Sequence, residues 1–214
     1  MRSRRGLALI LAGVICLLSA AGFAVYNVLD AKRAEQSAAE GLAAIMEVFG
    51  SSGAEASTGE GGANTSDPSG RTYPSQTPKE LKTVEKDGHV YVGIIEIPSL
   101  GLSLPVLYDW SYDNLRIAPC RYAGSCYTGD MVLCAHNYVS HFGPLLSADI
   151  GAEVDFTTVL GETFRYVIVN RETLQPGETE RLVTADDNWQ LTLFTCYLGG
   201  VTRCVIRCEE VPAG

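Results

Sequence analysis

Residues 190–197 read QLTLFTCY, and after five intervening positions residues 203–211 read RCVIRCEEV. Both runs are rich in the branched and aromatic side chains that suit a pleated surface. The stretch between them, LGGVT, holds Gly199-Gly200, which lets the chain reverse sharply. Two such runs joined by a glycine-containing loop predict an antiparallel hairpin. The same signature recurs upstream in residues 91–97 (YVGIIEI), ending at Pro98, and in residues 104–107 (LPVL), after a Gly-Leu-Ser turn. It returns in 130–136 (DMVLCAH), 153–159 (EVDFTTV) and 163–170 (TFRYVIVN), each preceded by a glycine turn. Seven short strands at this spacing predict a mostly β domain, a barrel or a sandwich. Helical character is confined to turns around 112–117 and 141–147. The roughly 125 residues from position 89 onward suffice for one core.

The N-terminus is of another kind. Arg2, Arg4 and Arg5 precede GLALILAGVICLLSAAGFAVYNVL, residues 6–29. About 20 consecutive apolar residues span the hydrocarbon core of a bilayer. The arginines before the block favour a cytoplasmic start and an extracellular bulk. Ser19-Ala20-Ala21 offers small residues to a signal peptidase, but the apolar run continues past them, which favours an uncleaved anchor. Residues 31–49 are rich in alanine and glutamate and read as helix. Residues 50–70 (GSSGAEASTGEGGANTSDPSG) have almost no large apolar side chain and read as a flexible tether. The expected organisation is a cytoplasmic tail at 1–5, a transmembrane signal anchor at 6–29, a helical and flexible extracellular stalk at 30–88 and a folded β domain at 89–214. The chain is expected to cross the plasma membrane by a single pass, with its bulk outside the cell.

Sixteen basic and 25 acidic residues give a formal charge of −9 over 214 residues, and leaving out the three leading arginines takes the remainder to −12. Such a surface excludes nucleic acid as a partner, because phosphate neutralisation needs a basic face. Cys16 lies in the apolar block, and Cys120, Cys126, Cys134, Cys196, Cys204 and Cys208 lie beyond it. No CxxC pair is present, so neither a dithiol motif nor a zinc ribbon has a local signature. The six cysteines are open to disulfide pairing or to burial as small apolar groups around one reactive thiol.

Cys196 ends an apolar strand just before a glycine loop, where a scaffold presents side chains to substrate. His136 sits likewise at the end of DMVLCAH, and imidazole is the common proton-exchanging partner of a thiol nucleophile. His89 lies at the domain edge and reads as solvated. His141, in the loop after His136, either supports a site or is a surface residue. Arg203 opens the strand after the Gly-Gly loop, and its guanidinium suits an oxygen that turns negative during acyl transfer. Arg207 shares its strand face by the two-residue period, so spacing does not separate the two. Arg203 is favoured because it is nearer the hairpin end that carries Cys196. Cys204 and Cys208 fall on the opposite face and are expected in the core or paired.

Together these features resemble the sortase family. The resemblance rests on Ala-His136-Asn137, on Leu-Thr-Leu-Phe-Thr195-Cys196, and on Arg203 in the following strand. GIIEIP (93–98) and GLSLPV (101–106) resemble the family's opening strands. The resemblance covers about 91–211 and implies a closed β-barrel with a Cys-His-Arg site, which makes 89–214 the catalytic domain and places it at the bacterial cell surface. Some members use calcium, but no clear acidic cluster is present here, and no cofactor or metal is expected. It implies LPXTG-like sorting-signal proteins as substrates, cleaved after threonine through a thioacyl-enzyme on Cys196. It also implies an amine acceptor, either a lipid-linked peptidoglycan precursor or a pilin lysine. His136 would exchange protons with the amines, Arg203 would hold the oxyanion, and Thr195, Asn137 and His141 would support or bind substrate. Six residues separate Cys196 from Arg203, fewer than in many members, and the cysteines outnumber the usual complement. Two alternatives stand beside this reading. One is a membrane-tethered cysteine hydrolase with the same trio. The other is a non-enzymatic surface binding module stabilised by disulfides or by a metal on Cys134, His136 and Cys196.

Overall fold

The computed structural model describes residues 2–52, 65–66, 72–73, 79–183 and 189–211. Most of the tether expected at 50–70, and residues 212–214, lie outside these. A single helix, α1 (Arg2–Ser52), begins the chain. It is the one described helix long and apolar enough to cross a membrane, and it lies near the N-terminus. Its apolar block is exposed, with Leu9, Leu17 and Phe23 each about two-thirds or more accessible. The helix does not stop at the end of that block, because residues 31–40 (AKRAEQSAAE) are strong helix formers with neither glycine nor proline.

The β domain has nine strands: β1 (Val84–Lys86), β2 (His89–Ile97), β3 (Leu102–Leu107), β4 (Cys120–Ala123), β5 (Met131–Ala135), β6 (Glu153–Thr158), β7 (Thr163–Leu174), β8 (Leu191–Tyr197) and β9 (Thr202–Glu210). Their order in the sheet is β1-β2-β3-β4-β5-β8-β9-β7-β6, and β6 also pairs antiparallel with β2. That last pairing closes β2 to β9 into an eight-stranded barrel, which leaves no free edge among them. β1 pairs with the start of β2, beside the stretch that β6 occupies. Two contacts are parallel: β5 with β8, and a single bridge between β3 and β4 at Leu107 and Cys120.

The strands expected from the sequence are present, and two more, β1 and β4, join them. β4 is only four residues long, follows Pro119, and has one fully buried residue, so it carries little hydrophobic period. The expected turns are 3-10 helical, Asn114–Arg116 and Gly143–Ser147.

Alternation along the strands sorts side chains into two clusters. Inside the barrel lie Ile95, Met131, Leu133, Phe156, Tyr166, Ile168, Leu193 and Ile206, with Cys204 and Cys208 among them. The opposite face of the same strands carries Val132, Cys134, Phe194 and Val205, packed with Ile45 of α1 and Leu182 of α2 (Glu180–Val183). Each large apolar side chain buried this way stabilises the fold by about 1.5–3 kcal/mol. All seven thiols are unpaired; Cys120, Cys126, Cys134, Cys204 and Cys208 are buried.

Candidate active site

The site follows from strand register. Thr195 on β8 pairs in parallel with Ala135 on β5, so the next residues, Cys196 and His136, leave their strands at the same level. Across the β8–β9 hairpin, Cys196 is directly opposite Arg203. The hairpin turn runs through Gly199 and Gly200, both at positive φ (67° and 92°), a backbone that glycine adopts without strain. Thr195 faces the other way and is buried, its Oγ1 donating to the Ala135 carbonyl at 2.9 Å. It ties the ends of β5 and β8 together just below the level of Cys196 and His136.

Cys196, His136 and Arg203 all line one cavity of about 220 Å³ on the outer face of the barrel. Cys134, Ala135 and Phe194 form its floor. Trp110, Tyr112, Leu115 and Tyr122 form one wall, and Thr179 and Leu182 another. Tyr122 meets Phe194 edge-on at 5.3 Å and lies 5.6 Å from Trp110, between ring centroids. These aromatics make an apolar groove with an exposed rim, Trp110 being 44% and Tyr112 74% accessible. A larger, shallower depression of about 660 Å³ lies beside Glu80, Tyr108 and Arg121 and contains neither thiol nor imidazole.

Cys196 is the only half-exposed thiol of the β domain. The others sit where burial opposes ionisation: Cys126 is pushed up to about 11 and Cys120 to about 12, and Cys134 and Cys208 higher still. His136 is held below the usual histidine range, chiefly by burial, with Arg116 adding to that and Asp30 opposing it. Arg203 Nη1 donates to the carbonyls of Gly200 (3.0 Å) and Thr202 (3.3 Å), which keeps its guanidinium at the hairpin end beside Cys196.

Arg207 occupies a different setting. It is 2% accessible; its Nε and Nη2 approach Glu172 Oε1 at 3.0 and 2.9 Å, and Nη1 donates to Thr192 Oγ1 at 2.9 Å. Its Nη2 also donates to the Arg181 carbonyl, and its guanidinium lies 4.9 Å from the Trp189 ring centroid. It pins α2, and therefore Leu182, against the barrel. Asn137 is exposed, next to His136 but off the cavity wall. His141 is wholly buried, and the Tyr138 ring is in contact both with it, at 5.4 Å between centroids, and with His136, at 4.9 Å. Of its two sequence readings, the surface one is thereby corrected. Burial and the neighbouring His136 push it down to about 4, so it is neutral. Among the described residues, no group of three or more histidine, cysteine or acidic side chains is arranged to hold a metal.

Sequence reasoning missed the groove walls. The aromatics at 110 and 112 sit in a loop without period, and Leu182 belongs to a four-residue helix. Only the density of aromatic residues around 108–112 (YDWSY) offered a signal.

A closed β-barrel with a half-exposed cysteine, a histidine and an arginine on adjacent strand ends defines a class of thiol-bearing barrel proteins. Residues 95–211, more than half of the chain, match the family model described as the sortase domain. The chain belongs to the sortase family, whose members are in general cysteine transpeptidases. Among solved structures it is similar to sortase C1 from Streptococcus agalactiae, with 25% identity, 64% of this chain and 74% of that one covered, and a TM-score of 0.53. It shares its fold with sortase A from Corynebacterium diphtheriae (22% identity, 59% and 63% covered, TM-score 0.54). It also shares it with a sortase D5 transpeptidase from Clostridium perfringens (19% identity, 62% and 83% covered, TM-score 0.52). The chain thus spans less than two-thirds of the Corynebacterium protein. A search of curated protein sequences finds no match.

Proposed function

We propose that this chain is a membrane-anchored transpeptidase that cleaves an LPXTG-like sorting signal after threonine and passes the acyl group to an amine. The observation that carries the reading is the register that sets Cys196 opposite Arg203 and level with His136 on one groove. Cys196 passes its proton to His136 and its thiolate attacks the threonine carbonyl; the C–N bond breaks as His136 gives that proton to the leaving amine. Arg203 stabilises the negative oxygen of the tetrahedral intermediate. The incoming amine then loses a proton to His136 and displaces the thiolate, restoring both groups. The acceptor is a lipid-linked peptidoglycan precursor or a pilin lysine. The apolar aromatic walls favour the leucine and proline of such a signal.

In this reading residues 1–5 are cytoplasmic, 6–29 cross the membrane, 30–88 link the anchor to the barrel, and 89–214 form the extracellular catalytic domain. The test is mass spectrometry of the enzyme incubated with a peptide library. A thioacyl adduct on Cys196, absent in Cys196→Ala and chased to an amide by added amine, is the expected result. An adduct on another residue, or cleavage that survives Cys196→Ala, overturns the assignment; acyl transfer to water despite abundant amine favours the hydrolase.

A further inference from the structure

The linking segment starts beside the site, one side chain removed from His136. Beyond the apolar block, α1 continues along the outside of the barrel, burying Ala34, Ala38, Ala44 and Ile45. Ala34, Ala38 and Ile45, with the buried Gly41, recur at the three- and four-residue spacing of one helix face. Gly41 on that face approaches so closely that an added Cβ would lie 3.0 Å from Tyr91 Oη and 3.1 Å from Pro105 Cγ. The helix is therefore seated on the barrel rather than crossing over it. At the start of this seated stretch stands Asp30, whose Oδ2 accepts a hydrogen bond from Tyr138 Oη, a residue 108 positions away. The Tyr138 ring lies 4.9 Å from that of His136 at an interplanar angle of 38°. It lies 5.4 Å from His141, whose buried ring nitrogens face the backbone of Ala34 and Ile117 without reaching hydrogen-bond geometry.

We infer that Asp30 is a positioning residue for His136, acting through Tyr138, so that the helix carrying the apolar block forms part of the site it tethers. The inference rests on the role given to His136 above. The charged and titratable groups around His136 are Asp30 on α1, Arg116 from the 3-10 turn, Tyr138 and His141 on its own loop, and Cys196 and Arg203 across the groove. Of these, Asp30 alone brings a negative charge from outside the barrel. It favours the imidazolium that must protonate the leaving amine, against the effects of burial and Arg116. Its hydrogen bond fixes the Tyr138 hydroxyl, and with it the ring that packs on His136. Burial and the Asp30 hydrogen bond push Tyr138 up to about 12, so it remains the donor.

The test uses the full chain in detergent micelles, as wild type, Asp30→Asn, Asp30→Glu and Tyr138→Phe. His136 titration is followed by NMR of its ring Cε1–H, and turnover of an LPXTG-like peptide is measured across pH. With Asp30→Asn the His136 midpoint and the basic limb of kcat should both move down by about half to one pH unit. Peptide kcat should fall roughly tenfold with KM within twofold, a loss confined to the transition state. Asp30→Glu should restore most of the shift, and Tyr138→Phe, which keeps the ring, should reproduce part of it. An unchanged midpoint and pH profile in Asp30→Asn overturns the inference, even if activity falls. A wild type that never acylates Cys196, but whose His136 midpoint still answers to Asp30→Asn, overturns the transpeptidase reading and leaves the coupling standing.

Discussion

Two arginines four residues apart on β9 lead different lives. Arg203 stands at the strand's tip, half-exposed, opposite Cys196 and facing a groove. Arg207 is buried mid-strand, engaged with a carboxylate, a hydroxyl, a backbone carbonyl and an indole. Both project from the same face of one strand, so their difference comes from what lies over that face at each end. Over Arg207 lie α2 and Trp189. Over Arg203 lies open space bounded by the aromatic loop. A guanidinium with every donor committed to the protein holds structure together. One that lines a groove, with only its Nη1 engaged among the described residues, can meet a substrate oxygen.

That contrast is open to attack by substitution. Arg203→Ala should lower kcat for peptide transfer by about 10²–10³-fold, the usual cost of losing an oxyanion donor, without moving the melting temperature. Arg203→Lys should recover only part of this, because an ammonium cannot reproduce the planar fork. Full activity in Arg203→Ala would remove the chemical half of the comparison. Arg207→Ala should do the reverse. It leaves Glu172 with Arg181 alone, at 2.7 Å, and should cost about 3 kcal/mol of stability by denaturant melts. Activity well below the melting temperature should fall far less than in Arg203→Ala. A melt equal to wild type would show that Arg207 is no anchor.

A smaller effect sharpens the same lesson for the histidines. His141 folds as a neutral, buried ring at about 4, below the 6.5 of a free histidine. The unfolded chain therefore takes up a proton between these values that the folded chain refuses. Stability should be fully present above about pH 6.5 and fall as pH drops toward 4, by roughly 2 kcal/mol from this residue. His136, also held down by burial, adds in the same direction. Chemical melts at pH 7 and pH 4.5 should show a smaller difference in His141→Phe than in wild type. An equal difference would place the acid sensitivity elsewhere.

Much of the barrel was legible because its strands carry their own period. β2, β5, β8 and β9 are dense in buried branched side chains and are bounded by glycine or proline turns. β1 and β4 were not legible, since three- and four-residue strands owe their existence to the neighbours they pair with. The trio was legible in position but not in setting. Cys196 and His136 each end an apolar run, whereas the choice between Arg203 and Arg207 hung only on nearness to a turn. The burial of His141 and the seating of α1 left no trace in the local pattern, because alanines in a helix look the same whether they face solvent or a barrel.

The amino-acid order alone determined an apolar N-terminal helix, a β domain after it, and a thiol, an imidazole and a guanidinium at strand ends. These follow from side-chain periodicity and turn chemistry, which act over a few neighbouring residues. Only the tertiary structure decided which arginine faces the thiol, which cysteines are sealed away, and that Asp30 reaches Tyr138 across 108 residues. Those outcomes depend on register and on the surfaces that close over each strand, and distant parts of the chain supply them together.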